Sequence, residues 1–384
     1  MTESIRLGLC CIFAEEPIKF RNTTVTACQK LTTKERHLKL ADLCRQNAES
    51  LKQAIEFCAS HSIGCFRVNS QILPVKTHPE VGYAIDKLPG GKEIRAMFEA
   101  CGDLARHHDI RLCFHPDQFV VLNSPREDVV DRSIAELEYQ SEVAEWIQAE
   151  VVNIHGGGAY GDKPAALDAF AVNFARLSTR VKERLTVEND DVTYSPEELL
   201  PLCDKLGIPL VYDAHHHRCL PDELSIEEAT KAALTTWNRE PMFHLSSPLE
   251  GWDGPNPRRH HDYIDLLDFP DCWRDLEITV EVEAKAKELA VQKLHKELRE
   301  EWQVYILRCA DNSLYTGITN DLPRRVEQHQ AGTAAKYTRA RLPVDLAYHE
   351  PQKTRGLALK RELAIKKLTR PEKQKLIESQ STRG

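Results

Sequence analysis

Short apolar runs alternate with longer stretches of helical spacing along most of the chain. The runs Ile5–Leu9, Gly64–Val68, Ile110–Phe114, Val151–Ile154, Leu185–Val187, Pro209–Tyr212, Met242–Leu245 and Leu276–Val282 have the length and composition of buried strands. Between them lie Leu40–Ala59, Glu93–His107, Glu127–Gln148, Ala165–Lys182, Pro196–Leu206 and Ser225–Trp237, whose apolar positions recur every three or four residues. In the first, Leu43, Ala48, Leu51, Ala54, Ile55 and Cys58 form one stripe. Ser225 and Glu228 stand in capping-box register, and Pro196 sits where a first helical turn tolerates proline. A further short helix is expected at Asp262–Leu267. Eight strands alternating with helices predict a parallel sheet closed into a (β/α)8 barrel, the TIM-barrel architecture of the α/β class.

In such a barrel, functional groups gather at the C-terminal ends of the strands. The runs here end in His115, His155, Glu188 and Asp213, with His244 inside the seventh and Glu283 after the eighth. Each alone is an ordinary capping or edge residue. Six at equivalent positions, all of metal-ligand type, point to one shared site. Asp213 opens Asp213-Ala214-His215-His216-His217, where His216, three residues on, can share its cavity from a strand-end loop. His215 and His217 then point elsewhere, at least one of them to a supporting or surface position. Imidazoles and carboxylates without a thiolate signature suit Mn²⁺, Zn²⁺ or Fe²⁺ as catalytic ions. Phosphodiester hydrolysis and sugar isomerisation both use such a set, and the ligand types do not separate them.

Composition changes the picture in one respect. The formal net charge of -8 is unevenly spread: residues 303–384 hold 16 Lys+Arg against 8 Asp+Glu, and the rest holds 35 against 51. A basic module on an acidic body implies two domains and makes nucleic acid a natural partner for the second. The expected division is a barrel over 1–288, a charged helical connector over 289–302 and a small domain over 303–384. The twelve cysteines include no C-x-x-C pair, so they read as buried thiols in a reducing compartment. No apolar run approaches the roughly 20 residues of a membrane span, and the N-terminus lacks the pattern of a secretory signal. The expectation is a cytoplasmic, nucleoid-associated monomer with no membrane partner.

Eight segments, in order, carry a family resemblance: Thr77-His78-Pro79, Phe114–Phe119, Ile154–Gly158, Val187–Asp191, Asp213–His216, His244–Ser247, His261–Ile264 and Val282–Glu288. Over residues 5 to about 288 the chain resembles the UV damage endonucleases. The resemblance implies metal-dependent nicking of double-stranded DNA on the 5′ side of UV photoproducts, leaving a 3′-hydroxyl. It implies two or three bound divalent ions, Mn²⁺ foremost, with His78, His115, His155, Glu188, Asp213, His216, His244, His261 and Glu283 as ligands. It also implies that Gln118 and Phe119 are pushed into the duplex opposite the lesion; the alternative for Phe119 is a core position beside Val120-Val121-Leu122. Two departures stand out. Where some members carry a carboxylated lysine that bridges metals, this chain has Met242, and Leu9 replaces an aromatic ring near the end of the first strand.

The basic module begins with two paired strands, Val304–Leu307 and Leu314–Ile318, around a turn at Asp311-Asn312-Ser313. A helix capped by Asp321 carries Arg324, Arg325 and His329, a third strand spans Leu346–Glu350, and the helix Leu357–Leu368 carries Glu362. The order Tyr305, Tyr315-Thr316-Gly317, Arg325, His329, Glu362 resembles a small α+β GIY-YIG nuclease domain. By that resemblance Tyr305, Tyr315, Arg325, His329 and Glu362 are catalytic, Glu362 holds Mg²⁺ or Mn²⁺, and branched or flapped DNA is the expected substrate.

Overall fold

The computed structural model describes residues 5–352 and 354–381, which divide into two compact units, Met1–Lys293 and Leu294–Gly384. In the first unit eight strands close a parallel barrel in sequence order: β1 (Ile5–Cys10), β2 (Cys65–Val68), β3 (Arg111–Phe114), β4 (Val151–His155), β5 (Leu185–Glu188), β6 (Leu210–Asp213), β7 (Met242–Leu245) and β8 (Ile278–Val282). β8 pairs with β1 from Ile5↔Ile278 to Leu9↔Val282 and seals the ring. The strands are covered by helices outside and packed side chains inside, so they read as continuous apolar runs rather than alternating ones. Most of their residues are fully buried.

Helix boundaries differ from the sequence reading where polar side chains decide them. The first long helix spans Thr33–Ser60, starting well before its apolar stripe. Thr32 and Glu35 form a reciprocal capping box that nucleates a polar first turn. Ser195/Glu198 and Ser225/Glu228 form the same device before Pro196–Leu206 and Ile226–Thr235. The stretch Ala165–Lys182 divides into Lys163–Phe174 and Thr179–Lys182, because the Ser178 side chain accepts from Val181 N and starts a new helix. No helix forms over Asp262–Leu267. Ser247 Oγ takes the Asp265 N–H and Trp252 Nε1 donates to Asp268, tying the segment into a loop.

After β6 the chain turns directly into the helix Ala214–Cys219, so the three histidines sit on a helix rather than a loop. Successive helical residues point about 100° apart, and the three rings take three surroundings, all buried. His217 bonds Tyr212 Oη and Asp222 at 2.8 Å each. His215 packs against the rings of Trp252 and His260. His216 faces Asp213 and Glu188.

The second unit is a three-stranded antiparallel sheet, β9 (Trp302–Cys309) between β10 (Leu314–Thr319) and β11 (Val344–Gln352), with helices at Leu322–Gln330, Lys336–Arg339, Arg355–Lys367 and Arg370–Ser381. Val304, Ile306, Tyr348, Ala358, Ile365 and Ile377 form its core. The helix Arg370–Ser381 was not expected, since Pro371 and a run of charged residues mask its stripe; proline at the start of a helix is well tolerated. No helix among the described residues is long and apolar enough to cross a membrane.

Candidate active site

Strand register gathers the predicted donors. His155 on β4 is paired with Glu188 on β5, and Asp213 on β6 with His244 on β7, so each pair emerges at one level of the rim. His115 follows β3, and Glu283 follows β8. Donor atoms of His115, His155 and Glu188 lie within 4.8 Å of one another. So do those of His115, His244 and Glu283, and those of Glu188, Asp213 and His216. The three groups share His115 and Glu188 and form one continuous cluster. Glu188 is its hub, 3.0 Å from His115 Nε2, 3.1 Å from His244 Nδ1 and 3.3 Å from His216 Nδ1.

The cluster has the marks of a cation site. Asp213 Oδ2 and His155 Nδ1 are buried with no well-formed hydrogen bond, and Glu188 Oε1 and His244 Nδ1 have only the cluster's own atoms beside them, an arrangement that is costly unless something else fills it. Burial raises the Glu188 carboxyl, but the His244 and His155 imidazoles and hydrogen bonds from His115 and His216 outweigh it and hold it well below the usual carboxylate range. Burial lowers His155, against the pull of the Glu188 carboxylate. Burial opposes charge on His244 too, yet the Glu188 and Glu281 carboxylates raise it to about 10. Such a mixture of imidazole nitrogen and carboxylate oxygen fits Mn²⁺, Zn²⁺ or Fe²⁺.

Two predicted ligands stand outside these groups. His78 lines the same cavity, with Nδ1 accepting from Glu80 N and Nε2 left free. His261 is turned into its own loop, where Nδ1 accepts the Tyr263 N–H at 3.0 Å. Its neighbour His260 faces the cluster instead: Nδ1 lies 3.8 Å from Glu283 Oε2, and its ring is 6.3 Å from that of His216.

Two charged residues inside the barrel were also missed. Arg67 on β2 and Glu281 on β8 are joined by bonds of 2.6 and 2.9 Å, and Arg67 Nη2 reaches Glu283 at 2.7 Å. The signal was present as charges interrupting buried strands, Phe66-Arg67-Val68 and Val280-Glu281-Val282. Met242 packs with Cys65, Cys113 and Val151, an apolar setting, and Leu9 is fully buried.

A cavity of about 1250 Å³ opens over the cluster and is lined by His78, His155, His216 and Glu283 at its base and by Gln118, Phe119 and Tyr160 among others. Phe119 is 75 % exposed, not a core residue, while Val121 and Leu122 beside it are buried. Tyr160 is exposed as well and has φ of 48°, unusual for a bulky side chain.

In the second unit the predicted residues meet on one face. Tyr305 Oη lies 2.9 Å from His329 Nε2 and 3.3 Å from Arg325 Nε; His329 Nδ1 lies 2.8 Å from Thr338 Oγ1. The Tyr315 ring is 5.1 Å from that of His329. Gly317 is paired with Tyr305, and a side chain at Gly317 would strike the Tyr305 ring, which explains the glycine of the Tyr-x-Gly motif. Glu362, on the helix Arg355–Lys367, pairs with Lys366 at 2.9 Å, and its charge acts on Tyr305. Burial and the Arg325 charge lower His329 to about 4.

Fold and site together define a parallel barrel with a candidate cation site at its rim, followed in the chain by a small nuclease-like domain. A sequence profile of the UV-endonuclease UvdE matches residues 5–310, and one of the GIY-YIG catalytic domain matches 301–375. The UV DNA damage endonuclease of Bacillus velezensis is 34% identical over 300 residues, covering 75% of this chain and 91% of the relative. That of Bacillus cereus (strain Q1) is 34% identical over 289 residues, covering 72% and 89%. The crystal structure of SacUVDE superimposes with a TM-score of 0.69 at 29% identity, covering 77% of this chain and 98% of that one. The chain belongs to the UV-endonuclease UvdE family of DNA repair endonucleases and carries a GIY-YIG domain C-terminal to the barrel in sequence.

Proposed function

We propose that the barrel incises double-stranded DNA on the 5′ side of UV photoproducts, leaving a 3′-hydroxyl, in a reaction that needs two or three divalent ions. The observation that carries this reading is the set of buried, unpartnered donor atoms at the floor of an open cavity rimmed by an exposed aromatic ring. His115, His155, Glu188, Asp213, His216, His244 and Glu283 would hold the ions, with His78, His261 and the neighbouring His260 on their outer side. Bound there, the ions would supply an activated water and neutralise charge on phosphodiester oxygens.

The remaining work falls to the rim. Gln118 and Phe119 enter the duplex opposite the lesion; a photoproduct is already unstacked, so opening the helix there costs less than in undamaged DNA. Tyr160 lines the same cavity, on a loop held by Asn123, whose Nδ2 donates to Gly156 O and Gly158 O. It offers a second ring for a displaced base.

The hydrogen bonds of the second unit fix a direction for proton movement. Thr338 Oγ1 donates to Ala335 O, so it accepts from His329 Nδ1–H. His329 Nε2 is then the acceptor for Tyr305 O–H. With its proton directed to His329 Nε2, the Tyr305 oxygen keeps a lone pair to orient an attacking water, and Arg325 stands by for phosphorane charge. Glu362 would hold Mg²⁺ or Mn²⁺, and branched or flapped DNA is the proposed substrate.

Incubation of the monomeric chain and Mn²⁺ with a duplex containing one defined photoproduct tests the main reading. A single nick immediately 5′ to the lesion is expected. Intact DNA from protein that demonstrably binds Mn²⁺ would sink it.

A further inference from the structure

We propose that Glu281 and Arg67 are positioning residues of the metal centre. Glu281 selects the His244 tautomer whose Nδ1 lone pair faces Glu188 and Glu283, and Arg67 holds Glu281 and Glu283 in place. The inference rests on the reading of His244 and Glu283 as metal ligands.

His244 has two different sides. Nε2 lies 2.8 Å from Glu281 Oε2. Nδ1 has no hydrogen-bond partner and lies 3.1 Å from Glu188 Oε1 and 3.5 Å from Glu283 Oε1. Without an ion the surrounding carboxylates favour a doubly protonated ring; an ion that binds at Nδ1 displaces the proton there, and the one N–H that remains is held at Nε2 by the buried carboxylate beside it. Arg67 Nη2 is also near Nε2, at 3.3 Å. A guanidinium only donates, however, and both groups converge on the closer Glu281 Oε2. Nδ1 is thereby left with its lone pair directed at the cluster.

Glu281 is not itself placed to bind an ion. Its Oε2 accepts from Arg67 Nε, Arg67 Nη2 and His244 Nε2, and its Oε1 accepts from the Cys113 thiol at 3.2 Å. With both oxygens engaged and its side chain 1% exposed, it acts through His244. Arg67 solves a second problem. Glu281 and Glu283 stand two residues apart at the end of β8 and would repel one another when buried. One guanidinium nitrogen bridges them, 2.6 Å from Glu281 and 2.7 Å from Glu283. Glu283 is thus aimed by an arginine that no ligand motif would reveal. Outer carboxylates that orient a ligating histidine are commonly worth 10- to 100-fold in metal affinity.

The full-length chain, stripped with a chelator and titrated with Mn²⁺ under electron paramagnetic resonance, gives stoichiometry and affinities. Glu281→Gln is expected to weaken one Mn²⁺ by roughly 10- to 100-fold and leave the others unchanged, and Arg67→Met to weaken the same ion, with Arg67→Lys recovering part of the loss. Wild-type affinities in Glu281→Gln and Arg67→Met would overturn the proposal. His244→Ala separates this from failure of the ligand reading: unchanged Mn²⁺ binding in that variant removes both. Should Glu281→Gln not fold, histidine-selective ¹⁵N NMR of the wild-type chain with Zn²⁺ as a diamagnetic probe reads the tautomer directly. Metal on His244 Nδ1 with a proton on Nε2 supports the proposal; metal on Nε2, or none on His244, refutes it.

Discussion

Asp213 serves structure and site with different oxygens. Its Oδ1 accepts the His216 N–H at 2.7 Å and caps the helix Ala214–Cys219, while Oδ2 is buried without a partner. Asp213→Asn keeps a good cap and loses the charge, so thermal stability should hold while Mn²⁺ affinity and incision fall at least tenfold. Asp213→Ala loses both and should in addition cost about 1 kcal/mol of stability. Calorimetry beside incision assays separates the two. His329 provides a pH test. Its folded value of about 4 lies below the ordinary 6.5, so the unfolded chain binds the proton first. The contribution is present above pH 6.5 and is lost as pH falls toward 4. Histidine-selective NMR of the full chain should find one ring that stays neutral through pH 5; a His329 midpoint near 6.5 contradicts the buried relay.

At the scale of elements, the loop after β4 shows how backbone places chemistry. Gly157 has φ of 86°, and a side chain there would run into the Asn123 carboxamide that grips the loop. Gly157→Ala should therefore destabilise by about 1–2 kcal/mol and slow incision by displacing His155 and Tyr160; a variant with wild-type unfolding temperature and rate would show the loop to be slack. Elements of this kind also mark what sequence could and could not supply. The eight strands and the cluster of imidazoles and carboxylates at their ends were legible, because a buried parallel strand is a compact apolar run whose interruption by a carboxylate or imidazole is conspicuous. The approach of His260 to Glu283 was not, since it depends on how the loop before β8 folds. Arg67 and Glu281 escaped because their meaning lies in each other, 214 positions apart in the chain. The histidine helix after Asp213 was missed for its shortness.

At the scale of the molecule, an acidic barrel is joined to a basic module. The module's Lys336, Arg339, Arg341, Lys360, Lys366 and Lys367 are suited to phosphates, so its binding should weaken steeply with salt. Arg325→Ala and Glu362→Ala should each abolish cleavage of flapped or branched DNA and leave photoproduct incision intact, as read on the two substrates in parallel. Normal flap cleavage by both variants would exclude the mechanism drawn for Tyr305 and His329.

β8 has a consequence that concerns timing rather than geometry. It is the last barrel strand to be synthesised, it alone joins β7 to β1, and it delivers Glu281 and Glu283. A growing polypeptide that has not yet reached this point holds every other donor on an open, unsealed sheet. Ring closure and the last carboxylate of the cluster therefore both wait for the same short stretch, 278–283, to be made.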